Sequence, residues 1–311
     1  MMKVYATCTT YDSEEIIGYV VDHLISQNVD GIVVSDNESR DATVDILREK
    51  ARICKTKGID FVLLNDPEIA FHINEKHNRL VNVAVERAGG LAWIISAEAD
   101  EFWGSTKGPL ADVLKSPEVM DRAGKPPPGN RLRMTNDLCG FFYNQTPFLV
   151  TGEDDPNEPN PLKRMCWKVG PGEPIMPEGR RQRQLTKVLF PADSSWIEKF
   201  GMRGGCANIH CNKDFAQSLK VKAQPHFWSG GNLFYARHYP VWSLEQMKRK
   251  YRAIKKRAEM TDYPKSANLH ARIIGGLSDE EAERWYFEKY YVGKPREDPN
   301  LIYDPFEQIG E

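Results

Sequence analysis

Four short apolar runs separated by stretches of helical period fill the first hundred residues, and they leave little choice of fold. Lys3 to Cys8 is β-rich, and Glu14 to Gln27 puts Ile17, Val20, Val21 and Leu24 on one helical face. Gly31 to Ser35 (GIVVS) is a second strand-like run. A helix is predicted from Asp41 to Lys57, with Ser39 or Asp41 as N-cap and Gly58 as its stop. Asp60 to Leu64 reads as a third strand, Asn74 to Arg87 as a third helix and Leu91 to Ser96 as a fourth strand. Alternation with short connections means right-handed crossovers and a parallel sheet. The expected class is α/β, with a mixed or parallel Rossmann-type sheet flanked by helices.

Polar residues gather where these strands end. Thr9, Thr10, Tyr11, Asp12 and Glu14 follow the first, and Asp36, Asn37, Glu38, Ser39, Arg40 and Asp41 follow the second. After the fourth the sequence LAWIISAEADEFWG turns abruptly from apolar residues to Glu98, Asp100 and Glu101. In a doubly wound sheet these loops share one edge, where ligands bind. Each cluster alone also suits turn and cap chemistry. Two or three carboxylates together suit a hard divalent cation held against phosphate. Neither G-x-G-x-x-G after the first strand nor a P-loop is present, so dinucleotide dehydrogenases and P-loop NTPases are disfavoured.

The 311 residues can bury a sizeable core, and a formal charge of −2 argues against nucleic-acid binding. No apolar run is long enough to span a bilayer. The opening MMKVYATCTTYDSEE lacks a signal-peptide core, and six scattered cysteines read as reduced thiols, so a cytoplasmic setting is expected.

Beyond Gly104 the pattern changes. Asp112 to Arg122 is a predicted short helix, and RLRMTNDLCGFFY is a predicted strand after the Pro-Gly loop at 124–130. From Pro147 to Pro177 seven prolines among glycines and charges read as loop, of a length uncommon inside a domain unless it is functional. Arg180, Arg181 and Arg183 precede the strand-like LTKVLF, which carries Lys187. Cys206, His210 and Cys211 lack the paired spacing of a structural zinc site, and His226 sits among aromatics as a packed residue would. Ser243 to Met260 is a basic amphipathic helix, suited either to covering the sheet or to peripheral contact with an anionic membrane. Ser278 and Glu281 form a capping box that opens a last helix through Tyr291.

Three blocks carry a family resemblance: TTYDSEEIIGYVVDHL, IVVSDNESRDAT and HNRLVNVAVERAGGLAWIISAEADEFW. They resemble the nucleotide-sugar-binding half of family 2 glycosyltransferases of the GT-A fold, in the group whose metal motif reads D-A-D-E-F. The second block holds the D-N-x-S-x-D-x-T signature at Asp36, Asn37, Ser39, Asp41 and Thr43. HYPVWSLEQMKRKY, from His238, is similar to the group's late H-Y-x-x-[RK]-S-x-x-x-[FM]-x-x-K motif. The resemblance implies a GT-A-like domain over 1–242. Within it, 1–105 is the nucleotide-sugar half and 106–242 is an acceptor half containing the proline-rich stretch 147–177. A C-terminal helical extension follows over 243–311.

It further implies transfer of a sugar from a UDP- or GDP-linked donor to a carbohydrate or other hydroxyl acceptor, with Mn²⁺ or Mg²⁺ and inversion of the anomeric centre. Thr9, Tyr11 and Glu14 would frame the nucleobase and ribose, and Asp36 would accept from the base or sugar. Asn37 and Ser39 would shape the turn. Arg79, Lys187 and Lys250 match basic positions near the diphosphate, with a surface strand lysine as the equal alternative for Lys187. Asp100 would be the principal metal ligand, with Glu98 and His238 completing the site and Glu101 orienting it or meeting sugar hydroxyls. The general base is sought among Asp137, Glu153, Asp154 and Asp155, with Asp137 taken as the catalytic candidate. Glu98 stands where the group has Asp, and Trp242 where it has Arg or Lys. These departures keep open a second reading, a nucleotide-sugar-binding protein without turnover.

Overall fold

A computed structural model describes residues 2–68, 72–126, 138–170, 186–203, 208–218, 227–260 and 273–306. Asp137, the arginines at 180, 181 and 183, Cys206 and His226 lie outside the described residues. The chain divides into two compact units, each assembled from three segments. The first comprises Met1–Pro67, Ile73–Gln145 and Thr186–Ala236, and the second Glu68–His72, Thr146–Leu185 and Arg237–Glu311.

The first unit opens with the expected alternation: β1 (Lys3–Thr10), α1 (Ile17–Ser26), β2 (Gly31–Asp36), α2 (Thr43–Thr56), β3 (Asp60–Asn65), α3 (Ile73–Ala88) and β4 (Leu91–Glu98). β1 lies between β2 and β4, parallel to both, and β3 runs parallel on the far side of β2. Beyond a two-residue turn come β5 (Glu101–Ser105), α4 (Leu110–Lys115) and α5 (Pro117–Ala123). The single helix predicted from Asp112 to Arg122 is broken in two. Ser116 is extended, Pro117 takes the first position of α5, and the Ser116 side chain accepts from the Val119 N–H.

Downstream come β6 (Phe141–Thr151), α6 (Pro161–Arg164), β7 (Trp167–Val169), β8 (Thr186–Asp193), α7 (Trp196–Lys199), β9 (Phe200–Arg203), β10 (Asn208–Cys211) and α8 (Lys213–Ser218). They are followed by β11 (Trp228–Ser229), β12 (Phe234–His238), α9 (Leu244–Glu259), α10 (Asp279–Lys289), β13 (Tyr291–Val292), a 3₁₀ turn (Pro295–Glu297) and β14 (Leu301–Tyr303). In the first unit β8 runs antiparallel beside β4, and the first residues of β6 run antiparallel beside β8. β12 pairs with β5, and β9 and β10 form a separate antiparallel ribbon. The sheet is mixed, mainly parallel at its centre and flanked by helices.

Both faces of that sheet are buried, as a parallel sheet requires. On one face Leu80, Val81, Ala84 and Val85 of α3 pack with Tyr5, Val33, Ile94, Phe190, Trp196 and Phe200. By alternation Val4, Ala6, Ile32, Val34, Trp93 and Ile95 point the other way, and all are fully buried. Each such aliphatic side chain contributes about 1.5–3 kcal/mol by leaving water. Tyr5 fixes the packing at the sheet's amino end. Its ring lies where a Cβ on Gly31 would be, and its hydroxyl donates to Asp60 at 3.0 Å. The Arg87 guanidinium, bonded to the same carboxylate, holds Asp60 below the usual carboxylate range.

In the second unit the later residues of β6 pair antiparallel with β7, β7 pairs antiparallel with β14, and β13 runs parallel to β6. The stretch from Pro147, read as loop, is therefore largely ordered as far as Gly170, while 171–177 lies outside the described residues. Two prolines sit where their missing N–H does no harm. Pro147 precedes the point at which Phe148 and Leu149 take up pairing, and Pro161 opens α6 behind the Asn160 cap. Arg237 is held between the rings of Phe148 and Phe306 and bonds to Asp304. The capping box at Ser278 and Glu281 forms as predicted. The basic helix α9 buries Met247 and Tyr251, and the Tyr251 hydroxyl meets that of Tyr290 at 3.1 Å. Among the described residues no helix is long and apolar enough to cross a membrane.

Candidate functional site

Strand register brings the three polar clusters to one edge. Thr9 is paired with Ser35 on one side and with Glu98 on the other, and Thr10 is paired with Asp36. All three loops leave the carboxyl ends of adjacent parallel strands at the same height, the usual place for a ligand on an open α/β sheet.

The first two loops are laced together by their own side chains. Ser39 Oγ accepts from the Asp12 N–H at 2.9 Å, Asp12 Oδ1 from the Arg40 N–H at 2.7 Å, and Thr43 Oγ1 from the Ser13 N–H at 2.8 Å. Glu14 and Asp41 complete the exchange. Glu14 Oε2 accepts from the Ala42 N–H, and Asp41 Oδ2 from the Glu14 N–H. Asp12 and Glu38 have φ of 43° and 64°, left-handed conformations uncommon for residues with a Cβ, though less so for Asp. The lacing helps to hold them there. Ser39, Asp41 and Thr43 of the signature, with Glu14, thus hold the edge in shape.

Asp36 caps the same turn through Oδ2, which accepts from the Ser39 N–H at 3.1 Å. Its Oδ1 is buried without a hydrogen-bond partner among the described residues, as are Thr10 Oγ1 and Ser35 Oγ. An orphaned buried carboxylate oxygen is costly, and a donor from a bound molecule would satisfy it. Asn37 faces inward: its N–H donates to Thr10 O, its Nδ2 to Asp66 O at 2.8 Å, and its Oδ1 accepts from Lys76 Nζ at 2.9 Å. Lys76 and Arg79, one turn apart on α3, both reach Asp66 Oδ2, at 3.1 and 3.0 Å. Burial raises the Asp66 proton affinity, but the two cations outweigh it and hold the carboxyl below its usual range. Arg79 is half-exposed, so one side of its guanidinium faces solvent.

The acidic turn joins β4 to β5. Glu101 is fully buried, and both its oxygens are engaged. Oε1 accepts from Lys187 Nζ at 2.6 Å and Gln145 Nε2 at 2.5 Å; Oε2 accepts from Trp103 Nε1 at 3.0 Å and the Glu98 N–H at 3.2 Å. This carboxylate locks the turn from within. Lys187, of which 4% of the side chain is exposed, also lies 3.3 Å from Glu98 Oε2. Asp100 is buried at the tip of the turn, and Glu98 is the most open of the three acids. Behind them the fully buried His77 meets Ser96 Oγ at 3.4 Å, and burial lowers its pKa to about 4.

In the second unit His238 ends β12, Ser243 Oγ caps the start of α9 by accepting from the Gln246 N–H, and Lys250 Nζ donates to Pro240 O at 2.9 Å. Of the proposed bases, Asp154 accepts from both the N–H and the hydroxyl of Thr151, and Glu153 pairs with Arg296. Asp155 caps the Asn157 N–H. Sequence reasoning missed Asp66, Lys76, His77, Trp103 and Gln145. Lys76 and Arg79, three apart on a helix, carried a readable signal of a shared face. An uncharged glutamine inside a strand carried none.

No protein-family model matches this chain, and no curated protein matches its sequence. Among solved structures the chain is similar to a mannosyltransferase, PcManGT, from Pyrobaculum calidifontis, described in complex with GDP-Man and Mn²⁺. The identity is 15%, over 91% of this chain and 72% of that one, with a TM-score of 0.38. It is also similar to TarS from S. aureus at 14% identity, over 92% of this chain and 72% of that one, with a TM-score of 0.35.

Proposed function

We propose that this protein is a glycosyltransferase that moves a sugar from a UDP- or GDP-linked donor to a hydroxyl acceptor with the help of Mn²⁺ or Mg²⁺, with inversion at the anomeric carbon. The observation that carries the reading is the register at the sheet edge. Asp36, with an unsatisfied buried oxygen, and the Glu98–Glu101 turn stand on strands flanking β1, each directly paired with it. The family-2-like blocks in the sequence supply the substrate class.

The donor set suits a hard cation. Glu98 and Asp100 offer carboxylate oxygens on a turn that Glu101 holds rigid. His238 is the third ligand in this reading. When bound, the cation would offset the negative charge that builds on the departing diphosphate. The chain's own residues do the rest. Asp36 and Thr10 take up donors of the nucleoside, Thr9, Tyr11 and Glu14 border it, and Asn37 and Ser39 keep the turn in place. Arg79 presents its solvent-facing side to the phosphates, and Lys250 is the second basic group proposed for them. An inverting course needs a base on the acceptor hydroxyl. Asp137 is the base in this reading, with Glu153, Asp154 and Asp155 as the other candidates.

The test is a thermal-shift screen of nucleoside diphosphates with and without Mn²⁺, followed by donor hydrolysis. Stabilisation by one diphosphate only with Mn²⁺, abolished in Asp100→Ala, is expected. Failure of every diphosphate to stabilise the protein rejects the reading. Stabilisation without hydrolysis or transfer for any donor leaves the alternative, a nucleotide-sugar-binding protein.

A further inference from the structure

We infer that Lys187 is the resident counter-cation of the acidic turn, a positioning residue that sets how tightly a divalent cation is held, and not a ligand of the donor's phosphates. The inference rests on the proposed cation site but concerns a residue whose place is fixed by protein contacts alone. Lys187 is almost wholly buried on β8, and its ammonium lies 2.6 Å from Glu101 Oε1 and 3.3 Å from Glu98 Oε2. An ammonium held this closely between two carboxylates, with its stem inside the sheet, is turned toward the acids and away from bulk water.

Charge explains why it is needed. Glu98, Asp100 and Glu101 crowd three negative charges into four residues, and Glu101 is fully buried. A buried carboxylate without a counter-charge is strongly unfavourable. Lys187 offsets part of that charge and so lowers the pull of the turn on a divalent cation. It also draws on Glu98, the acid that would have to turn toward the metal. Gln145 and Trp103 hold Glu101 by neutral hydrogen bonds, whereas Lys187 brings a full positive charge to it. Its removal therefore strengthens cation binding and weakens the cation-free fold, whereas loss of a phosphate ligand would do neither.

The experiment is calorimetric titration of the full chain with MnCl₂ alone, no nucleotide present, for the wild type, Lys187→Met, Lys187→Arg, Glu101→Gln and Lys187→Met/Glu101→Gln. Lys187→Met should bind Mn²⁺ about tenfold more tightly, as expected for one uncompensated charge nearby. It should also melt at lower temperature than the wild type without Mn²⁺ and regain most of the difference with it. Glu101→Gln should bind about tenfold more weakly, because the ammonium then opposes the metal with one acid fewer. The double variant should return to within about threefold of the wild type, and Lys187→Arg should stay near it. If Lys187→Met fails to fold, Glu101→Gln and the double variant still decide the matter. Equal or weaker Mn²⁺ binding by Lys187→Met, or a loss confined to nucleoside diphosphate affinity, overturns the inference and leaves the proposed function standing. Absence of Mn²⁺ binding in the wild type overturns the inference, while the proposed function stands or falls with the nucleoside diphosphate screen.

Discussion

His77 is fully buried behind the acidic turn, and burial outweighs the attraction of Glu98 in holding its pKa down to about 4. The folded protein therefore keeps the ring neutral, while the unfolded chain protonates it near pH 6.5. Between those values the unfolded state binds the extra proton, so stability falls as pH drops from about 6.5 to about 4 and is fully present above that window. The loss from this one group is on the order of 2–3 kcal/mol. Urea midpoints measured across that range should fall more steeply for the wild type than for His77→Gln, and parallel curves would show that the ring titrates normally. Lys187 and Asp100 mark what could be read at this scale. The alternation of acids after an apolar run announced Asp100 and its edge position. Lys187, in LTKVLF, looked equally like a surface lysine or a phosphate ligand. Its burial depends on β8 lying between β4 and β6, a long-range pairing that local pattern does not encode.

Among the elements, the lacing between the loops after β1 and β2 determines whether the nucleotide edge is preformed. Ser39 Oγ is the acceptor that holds the Asp12 N–H in a left-handed backbone conformation. In Ser39→Ala that N–H loses its partner and the Asp12 strain is no longer offset, which should destabilise the protein by about 1–2 kcal/mol. The same change should weaken nucleoside diphosphate binding several-fold while Mn²⁺ affinity holds, since the acidic turn is anchored by Glu101 and not by this loop. Melting temperature together with the two calorimetric titrations would reveal the split, and a fall in Mn²⁺ affinity alone would contradict it. Strand and helix periods made β1 to β4 and α1 to α3 legible, with ends displaced by a few residues. Proline misleads the pattern in both directions, since the predicted helix 112–122 runs through Pro117 and the loop reading covers Pro147 and Pro161. Pro117 starts α5, Pro161 starts α6, and Pro147 sits within β6 ahead of the residues that take up pairing.

At the scale of the molecule, the residues that carry the resemblance are not the residues that complete the core around them. The blocks within the first 105 residues supply β1 to β5 and the acidic turn, yet α3 packs with Phe190, Trp196, Phe200, Met202 and Ile209, all from a segment more distant in the chain. β8 also covers the edge of β4 through pairing from Leu91–Asp193 to Ile95–Leu189. A fragment ending at residue 105 would leave that strand edge open and several large side chains of one sheet face without their partners. Exposed apolar surface beside an unpaired strand is a template for association, not a stable domain. The fragment 1–105 should therefore be aggregated or without a cooperative thermal transition, and 1–145 should fare little better because β8 is still absent. Full-length protein should unfold cooperatively in the same buffer. Circular dichroism melts and size-exclusion profiles of the three would settle it, with a monomeric, cooperatively melting 1–105 as the contrary result. The sequence order of the motifs then reflects where ligand groups are carried, while stability depends on strand β8 inserting from a remote part of the chain and bringing Lys187 with it.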